Sequence, residues 1–449
     1  YFIYFLLQLL GLMKIKENFA LSGWGNFKTK NCKVIIFDSS EELHYLNGKK
    51  NIIARGGGKS YYDQSICKQE VISTVKLNKI LSFDAETGLL DCESGITLEK
   101  IIKTFLPSGW FPYVVPGTKK LTIGGMIAAN IHGKNHHKVG GMVNFVEEIT
   151  LFDGQNLLKC SRKNKSDLFF STFGGMGLTG LIVNCKIRLN NIKTTKIISK
   201  NIPTKGIHDM LKKLRENSEN EFIVGWMDLV NKDLRGIIFC GDLSKEKIEP
   251  NYEVRFFSIK LPMRFLSIFF TRTSVRLFNK LYFLSKTFRK KTFQTSLDNF
   301  FFPLDSLTNW NQIYGDKGFS QFQCVVPYEK SEEMLKKTHE IIKKFKGLPG
   351  LVVIKYLKGE SEYLSFPIDG LTISVDIKEF NKSDQMFKEL HSLVIEFDGR
   401  VYLTKDSKLQ KEEFFSMYKD NAEAFTKVRN KYSLNNFSSY MSTRIGLSK

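Results

Sequence analysis

The sequence predicts an α+β protein built as two domains, on three observations. The chain runs to 449 residues, beyond the roughly 250 to 300 at which a single core stops growing. Its apolar runs are short and irregularly spaced, and several succeed one another without a helical crossover, which argues against a repeating βαβ array. After Asn190 the texture changes, and lysine-rich KTTKIISKNIPTKG opens a second series of elements.

In the first series, Val34–Phe37, Asn51–Ala54, Val71–Val75, Leu89–Cys92, Glu148–Phe152 and Leu181–Leu189 read as strands. Ser40–Leu46, Leu98–Phe105 and Ile123–Asn130 read as helices between them. In the second series, strands are expected at Glu221–Leu229, Arg235–Cys240, Gln321–Val326, Leu351–Leu357 and Leu371–Ile377. Helices are expected at Ile207–Glu216, Lys330–Phe345 and Asp384–Phe397, giving a second α+β unit.

With 42% hydrophobic residues, 10 prolines and no low-complexity tract, the composition is that of packed cores rather than disorder. Lys plus Arg outnumber Asp plus Glu by 67 to 46, and a net charge of +21 calls for an anionic partner. No recognition-helix or RNA-binding signature accompanies the charge, so nucleic acid is set aside in favour of a phosphorylated ligand or a membrane surface. The seven cysteines are odd in number, scattered and never in a CxxC pair. That pattern argues against a disulfide framework or thiolate metal site and fits a reducing compartment better.

The chain opens with YFIYFLLQLLGLM, shorter than the roughly 20 residues that span a bilayer. It lacks a basic leader and a cleavage site. Residues 1–12 are read as an apolar leader upstream of a start at Met13, with a membrane-touching segment as the alternative. Residues 254–297 hold ten Lys/Arg, ten Phe/Tyr and no acid, a mixture suited to an anionic membrane face. A solvated basic loop with buried aromatics is the alternative.

Three glycine clusters carry the chemistry. RGGGKSYYD (55–63) follows a strand, where bare backbone can turn its amides inward as an anion nest. PGTKKLTIGGMIAANIHGKNHH (116–137) adds a glycine pair, a helix start able to face an anion, and a cluster of His132, Lys134, His136 and His137. Those histidines have neither HExxH spacing nor a nearby cysteine, so no metal is expected. FGGMGLTGLI (173–182) matches GxGxxG through Gly175, Gly177 and Gly180, but a helical stretch precedes it and a β-rich one follows, the reverse of a Rossmann fingerprint. Together the loops point to a long ligand with a pyrophosphate.

ARGGGKSYYD, the 116–137 stretch, FGGMGLTG and GRVYLTKDS (399–407) resemble the FAD-linked oxidases of the vanillyl-alcohol-oxidase type, and most closely their decaprenylphosphoryl-ribose oxidase branch. The likeness is collinear from SGWGNF at 22 to the carboxyl terminus. It implies a two-domain PCMH-type FAD-binding fold with an inserted substrate domain of antiparallel sheet and helices. The FAD-binding domain would comprise 13–193 and 400–449, and the substrate domain 194–399. Arg55, Gly56, Gly57, Gly58, Lys59, Ser60 and Tyr61 would wrap the FAD pyrophosphate. Gly117, Thr122, Ile123, Gly124, Gly125, Ala129, Asn130, Ile131, His132, Ile182 and Tyr402 would complete the cofactor site. Many relatives attach FAD through a histidine where this chain has Lys59, so non-covalent FAD is expected.

The same resemblance places Lys405 beside flavin and substrate, where its ammonium would stabilise developing negative charge. Tyr61, His132, Lys134, Gln321, Gln323 and Lys355 would line the substrate pocket, and His132 is the first choice of base from its intrinsic pKa. Relatives of the branch carry tyrosine, asparagine and cysteine where this chain has Phe301, Thr372 and Ser374, so sugar contacts would differ and a trappable thiol is missing. The implied activity is oxidation of the 2-hydroxyl of a polyprenylphosphoryl-ribose, with an NAD(P)H-dependent short-chain reductase completing epimerisation to arabinose. A soluble sugar or aldonolactone oxidase, and a flavin-free polyanion-binding protein, stay open as alternatives. The expected location is the cytoplasm, against the inner face of the membrane, ahead of the periplasm.

Overall fold

The structure, a computed structural model, describes residues 13–26, 31–246, 262–288, 292–359 and 362–448. Residues 1–12 and the 254–261 and 289–291 parts of the basic stretch lie outside the described residues.

Two sheets are built before residue 192. Strands β1 (Met13–Ala20), β2 (Asn31–Phe37), β3 (Ile52–Arg55) and β4 (Glu70–Ser73) form one in the order β1-β2-β4-β3, with β2, β4 and β3 parallel. The second joins β5 (Ile80–Asp84), β6 (Leu89–Glu93), β10 (Leu181–Asn191), β8 (Val146–Phe152) and β9 (Leu157–Ser161) in that order, and β7 (Trp110–Pro112) also pairs with β10. Helix Leu98–Phe105 starts at Thr97, whose side chain accepts the Lys100 amide, and it buries Leu98, Ile101, Ile102 and Phe105 at i, i+3, i+4 spacing.

The remainder of the chain builds one antiparallel sheet of eight strands. Its members are β11 (Lys196–Lys205), β12 (Phe222–Met227), β13 (Arg235–Leu243), β14 (Thr292–Ser296), β15 (Phe319–Val326), β16 (Pro349–Leu357), β17 (Gly370–Lys378) and β18 (Arg400–Val401). Their order is β14-β11-β13-β12-β16-β17-β15-β18. Helices Gly206–Glu216, Ser331–Lys344 and Ser383–Glu396 pack on it. The architecture is the expected α+β, with the last sheet antiparallel throughout.

One apolar cluster ties the units together. Val34, Ile53 and Val71 of the first sheet share it with Phe322 and Ile373 of the third and with Phe414 and Phe425 of helix Lys411–Lys431. The chain end returns to the first sheet, where the Ser438 amide donates to Ile52 O at 3.0 Å and Arg444 pairs with Asp63 at 2.9 Å and Asp406 at 2.8 Å.

Two local expectations differ. Ser40–Leu46 is a 3-10 helix. The lysine-rich stretch that opens the second series, to which the sequence pattern assigns no element, is strand β11, hydrogen-bonded on both edges. Among the described residues no helix is long and apolar enough to cross a membrane.

Candidate active site

The first two glycine loops meet. A Cβ at Gly56 would fall 2.1 Å from Thr122 Oγ1, and one at Gly57 would fall 2.9 Å from Lys120 O, so bare backbone is required for the approach. Gly58 adopts φ +62°, and the Arg55 guanidinium folds beneath it to donate to Ser22 O at 2.8 Å and Ser65 Oγ at 3.1 Å. Arg55 therefore braces the loop from behind. Among the described residues the amides of Gly57, Gly58, Lys59 and Ser60 donate to none of the loop and cap carbonyls. A run of such amides around a left-handed glycine is the cradle a pyrophosphate requires.

The second loop behaves differently. Its helix, Ile123–Ala128, spends its first amides internally: Ile123 N donates to Ile96 O, Gly124 N to Ser94 O and Gly125 N to Thr122 Oγ1. The expected anion-facing helix start is thereby corrected, because those donors are already satisfied. What the segment contributes is close approach, since a Cβ at Gly124 would lie 2.9 Å from Ser94 Cβ, and Gly117 has no neighbour within 4 Å to fill. Asn130 is fully buried at φ 38°, donating to Ser365 Oγ at 2.8 Å, and its carbonyl oxygen accepts from Val143 N at 3.2 Å. The third glycine cluster packs behind, where Met176 N donates to Ala128 O at 3.0 Å. Ile131 and Ile182 are buried, and Tyr402 Oη donates to Ala129 O at 2.8 Å.

The third sheet supplies the opposite wall. In β15 Gln321 and Gln323 alternate with Phe322 and Cys324, and in β17 Thr372, Ser374 and Asp376 alternate with Ile373, Val375 and Ile377. A strand turns alternate residues to one face, so these five polar side chains share it. The register sets Gln321 opposite Asp376, Gln323 opposite Ser374, and Lys355 of β16 opposite Thr372.

Against that face lies His132, with Lys355 Nζ 2.9 Å from its Nδ1 and the Gln323 amide 3.1 Å from its Nε2. A neutral imidazole has one donor and one acceptor. The Gln323 Nε2 amide also donates to Thr372 Oγ1 at 3.2 Å, so towards the ring it acts as a donor and His132 Nε2 is the accepting nitrogen. Burial, followed by the charges of Lys355, His136 and Lys405, drives the His132 pKa well below its usual value. Its selection as base on intrinsic pKa grounds is corrected accordingly: the ring is neutral, weakly basic and held at both nitrogens.

The neighbouring lysines are shifted as well. Burial lowers Lys134 to about 7. Lys355 also falls to about 7, through burial and then the charges of Lys134 and Lys405. Lys134 donates to Phe300 O and lies 4.4 Å over the Phe300 ring. Lys405 falls to about 8 through burial, with Asp376 pulling the other way. Asp376 is raised to about 6 by burial, against the Gln321 hydrogen bond and the Lys405 charge. Among the described residues Asp376 acts on Lys405 alone of these three lysines, and no carboxylate offsets the burial of Lys134 or Lys355.

Lys405 is placed by its own turn. Its amide donates to Tyr402 O at 2.9 Å, and Gln64 Nε2 donates to Leu403 O at 2.8 Å. Tyr61, whose amide donates to Thr404 O at 3.1 Å, carries the Lys405 ammonium 3.9 Å over its ring. Gln321 Nε2 donates to Tyr61 Oη at 3.1 Å and to Asp376, and Tyr314 Oη donates to Asp376 Oδ2 at 3.4 Å. Burial and the Asp376 charge raise the Tyr61 phenol well above its usual range, so it is a hydrogen-bonding group rather than a proton acceptor.

Asp376 and Tyr314 were not anticipated from sequence; the alternation of polar residues in TISVD is the signal that marks the former. Of the neighbouring histidines, His137 lies elsewhere, its Nε2 facing Ser218 O at 3.0 Å and Asn220 O at 3.1 Å, whereas His136 stands edge-on to His132 at 6.1 Å and its Nδ1 accepts from the Lys358 amide at 3.1 Å. Lys59 sits 3.9 Å over the Trp24 ring, lowered to about 8 by burial and then by Lys120.

Comparison with known proteins agrees with this geometry. Residues 38–160 match the FAD binding domain family. Decaprenylphosphoryl-beta-D-ribose oxidase of Mycolicibacterium smegmatis is 32% identical over 422 residues, covering 89% of this chain and 91% of the relative. Cytokinin dehydrogenase 1 of Arabidopsis thaliana is 28% identical over 34% of this chain and 28% of its own length. D-lactate dehydrogenase of Archaeoglobus fulgidus is 32% identical over 36% and 39% respectively. This chain is an FAD-dependent oxidoreductase, and it belongs to the family of FAD-linked oxidases that includes decaprenylphosphoryl-beta-D-ribose oxidase.

Proposed function

We propose that the protein oxidises the 2-hydroxyl of a polyprenylphosphoryl-ribose to the 2-keto sugar, the first half of an epimerisation to arabinose. The observation that carries this reading is the burial together of three interacting lysines, Lys355 feeling the charges of Lys134 and Lys405, with Asp376 acting on Lys405 alone. Three amines beside one carboxylate in a low-dielectric interior, two of them held near 7, favour a ligand that brings negative charge of its own, as a phosphodiester does.

The open amides of Gly57 to Ser60 would hold the FAD pyrophosphate, with Gly117, Gly124, Ala129, Ile182 and Tyr402 along the rest of the cofactor. Bound FAD supplies a hydride acceptor for the carbinol carbon. Lys134 and Lys355 would attract the phosphate, while Gln321 and Gln323 orient the sugar hydroxyls. Lys405, kept cationic by Asp376, would stabilise negative charge accumulating opposite the substrate.

The lipid tail of such a substrate suits work at a membrane, and we place the protein at the inner face, in the cytoplasm. No disulfide joins any of the seven cysteines, all of them buried, which suits a reducing compartment. A short-chain reductase using NAD(P)H would return the ketone to the epimeric alcohol. Anaerobic mixing with polyprenylphosphoryl-ribose is expected to bleach the flavin within the time of turnover. Faster bleaching by water-soluble sugars or aldonolactones would replace this substrate, and a colourless purified protein would end the enzymatic reading.

A further inference from the structure

Helix Arg272–Thr287 is built inside out. It buries Val275 and the polar Asn279, whose amide donates to Asp228 Oδ1 at 2.8 Å, while Leu277, Phe278 and Leu281 stay 58%, 65% and 57% exposed. Just before it, Phe265, Ile268 and Phe269 are at least 60% exposed, and Phe288 at its end is 83% exposed. Seven of the twelve exposed large apolar side chains among the described residues therefore fall between 265 and 288. The helix is firmly seated on its other side: Tyr282 packs edge-on against Trp226 at 4.9 Å, and Arg272 donates to Gly347 O at 2.7 Å. Loose packing does not account for the outward face.

We infer that this face docks onto an anionic lipid surface, the seven apolar side chains entering the headgroup region. The inference rests on the polyprenyl-phosphate reading above. Charge selects the occupant. Arg264, Arg272, Arg276, Lys280 and Lys286 are interspersed with the apolar residues along the chain, Arg264 paired with Asp316 at 2.7 Å, and the sequence from 254 to 297 contains no Asp or Glu. A second copy of the chain would set these cations against their own kind, whereas acidic headgroups neutralise them. The inner side of the same segment leads to the active site. Phe270 packs on Tyr314 at 4.8 Å, Tyr314 stacks on Phe319 at 4.2 Å, and Phe319 meets Tyr61 at 5.3 Å. Docking here sets the Tyr61 and Lys405 wall close to the lipid in which a polyprenyl tail lies.

The test is flotation of the full-length flavoprotein with vesicles of phosphatidylcholine, with and without phosphatidylglycerol. The wild type is expected to float with the anionic vesicles. Replacing both Phe278→Asp and Leu281→Asp is expected to weaken that binding about a hundredfold, while flavin absorbance and melting temperature stay unchanged. Failure of the wild type to float, or equal flotation of the double variant, overturns the inference. So does a wild-type dimer in gel filtration that the double variant splits, because a second copy would then cover the face. Flotation involves neither sugar nor turnover, so its outcome is separate from that of the substrate assignment.

Discussion

The ammonium of Lys405 lies 3.9 Å over the ring of Tyr61, and the Tyr61 hydroxyl is tied through Gln321 to the carboxylate of Asp376. A cation is thus fixed from one side by an aromatic face and neutralised from the other by a buried acid. Removing it should cost transition-state stabilisation while leaving the pyrophosphate cradle intact. Lys405→Ala is expected to retain yellow FAD but to slow substrate-driven flavin bleaching by roughly two to three orders of magnitude, as for loss of one preorganised charge. Stopped-flow absorbance reads this directly, and near-normal bleaching would show that Lys405 stands apart from the chemistry.

The same pair sets a pH profile. Burial raises Asp376 to about 6 and lowers Lys405 to about 8, so carboxylate and ammonium coexist between those values. Below that window Asp376 gains a proton, and above it Lys405 loses one. The rate of flavin reduction is expected to be bell-shaped, with a maximum near neutrality. Asp376→Asn deprives Lys405 of the charge that holds its proton, which should move the alkaline limb to lower pH. A variant that merely loosened the fold would lower the whole curve without moving that limb.

The sequence showed some of this and concealed the rest for physical reasons. The loops at 55–61 and 116–132 were legible because close backbone approach requires glycine, and glycines in a row are conspicuous. Strand β11 was not. Its buried positions hold Ser199, Asn201 and Thr204 beside Ile197, and its outward ones hold Ile198 beside Lys196 and Lys200, so polar and apolar residues occur on both faces and period-2 contrast is weak. Asp376 was hidden for another reason: its polarity makes sense only once Gln321 and Lys405, distant in sequence, are set beside it. Helix Arg272–Thr287 reads as amphipathic either way, and only the fold shows its apolar side turned outward.

Ser374 offers a chemical check on substrate-side identity. It lies opposite Gln323 in the strand register, at a position where the resemblance places a reactive cysteine. The adjacent Cys324 turns to the other face, is completely buried and has its thiol pKa raised by desolvation, which leaves it inert. Covalent thiol-directed inhibitors of the branch are expected to leave the intact mass unchanged, and Ser374→Cys to restore a one-to-one adduct.

At position 59 the lysine ammonium rests over Trp24 instead of presenting an imidazole for flavin attachment. Acid precipitation is expected to leave a colourless pellet and release all of the flavin to the supernatant, measured by its absorbance. Yellow pellet protein would locate a covalent link at another residue.

Lys355 gives a prediction in which stability and function move in opposite directions. The folded chain holds its amine at about 7, against 10.5 for an ordinary lysine. Between those values the unfolded chain binds more protons, so this group makes the ligand-free protein gain stability as pH rises from about 7 toward 10.5, and its penalty is complete below about 7. Lys355→Met removes a buried cation whose nearest charged neighbours, Lys134 and Lys405, are also cationic. The ligand-free variant is expected to melt above the wild type at neutral pH, with the difference shrinking at alkaline pH. The proposed phosphate contact would be lost in the same step, so KM for a polyprenyl-phosphate sugar should rise by roughly tenfold or more, the equivalent of one charge-assisted hydrogen bond. Thermal melts at two pH values alongside steady-state kinetics separate the outcomes. A variant that melts lower at neutral pH would mean that the ammonium is already neutralised in the ligand-free enzyme, and that the recess does not await an anion.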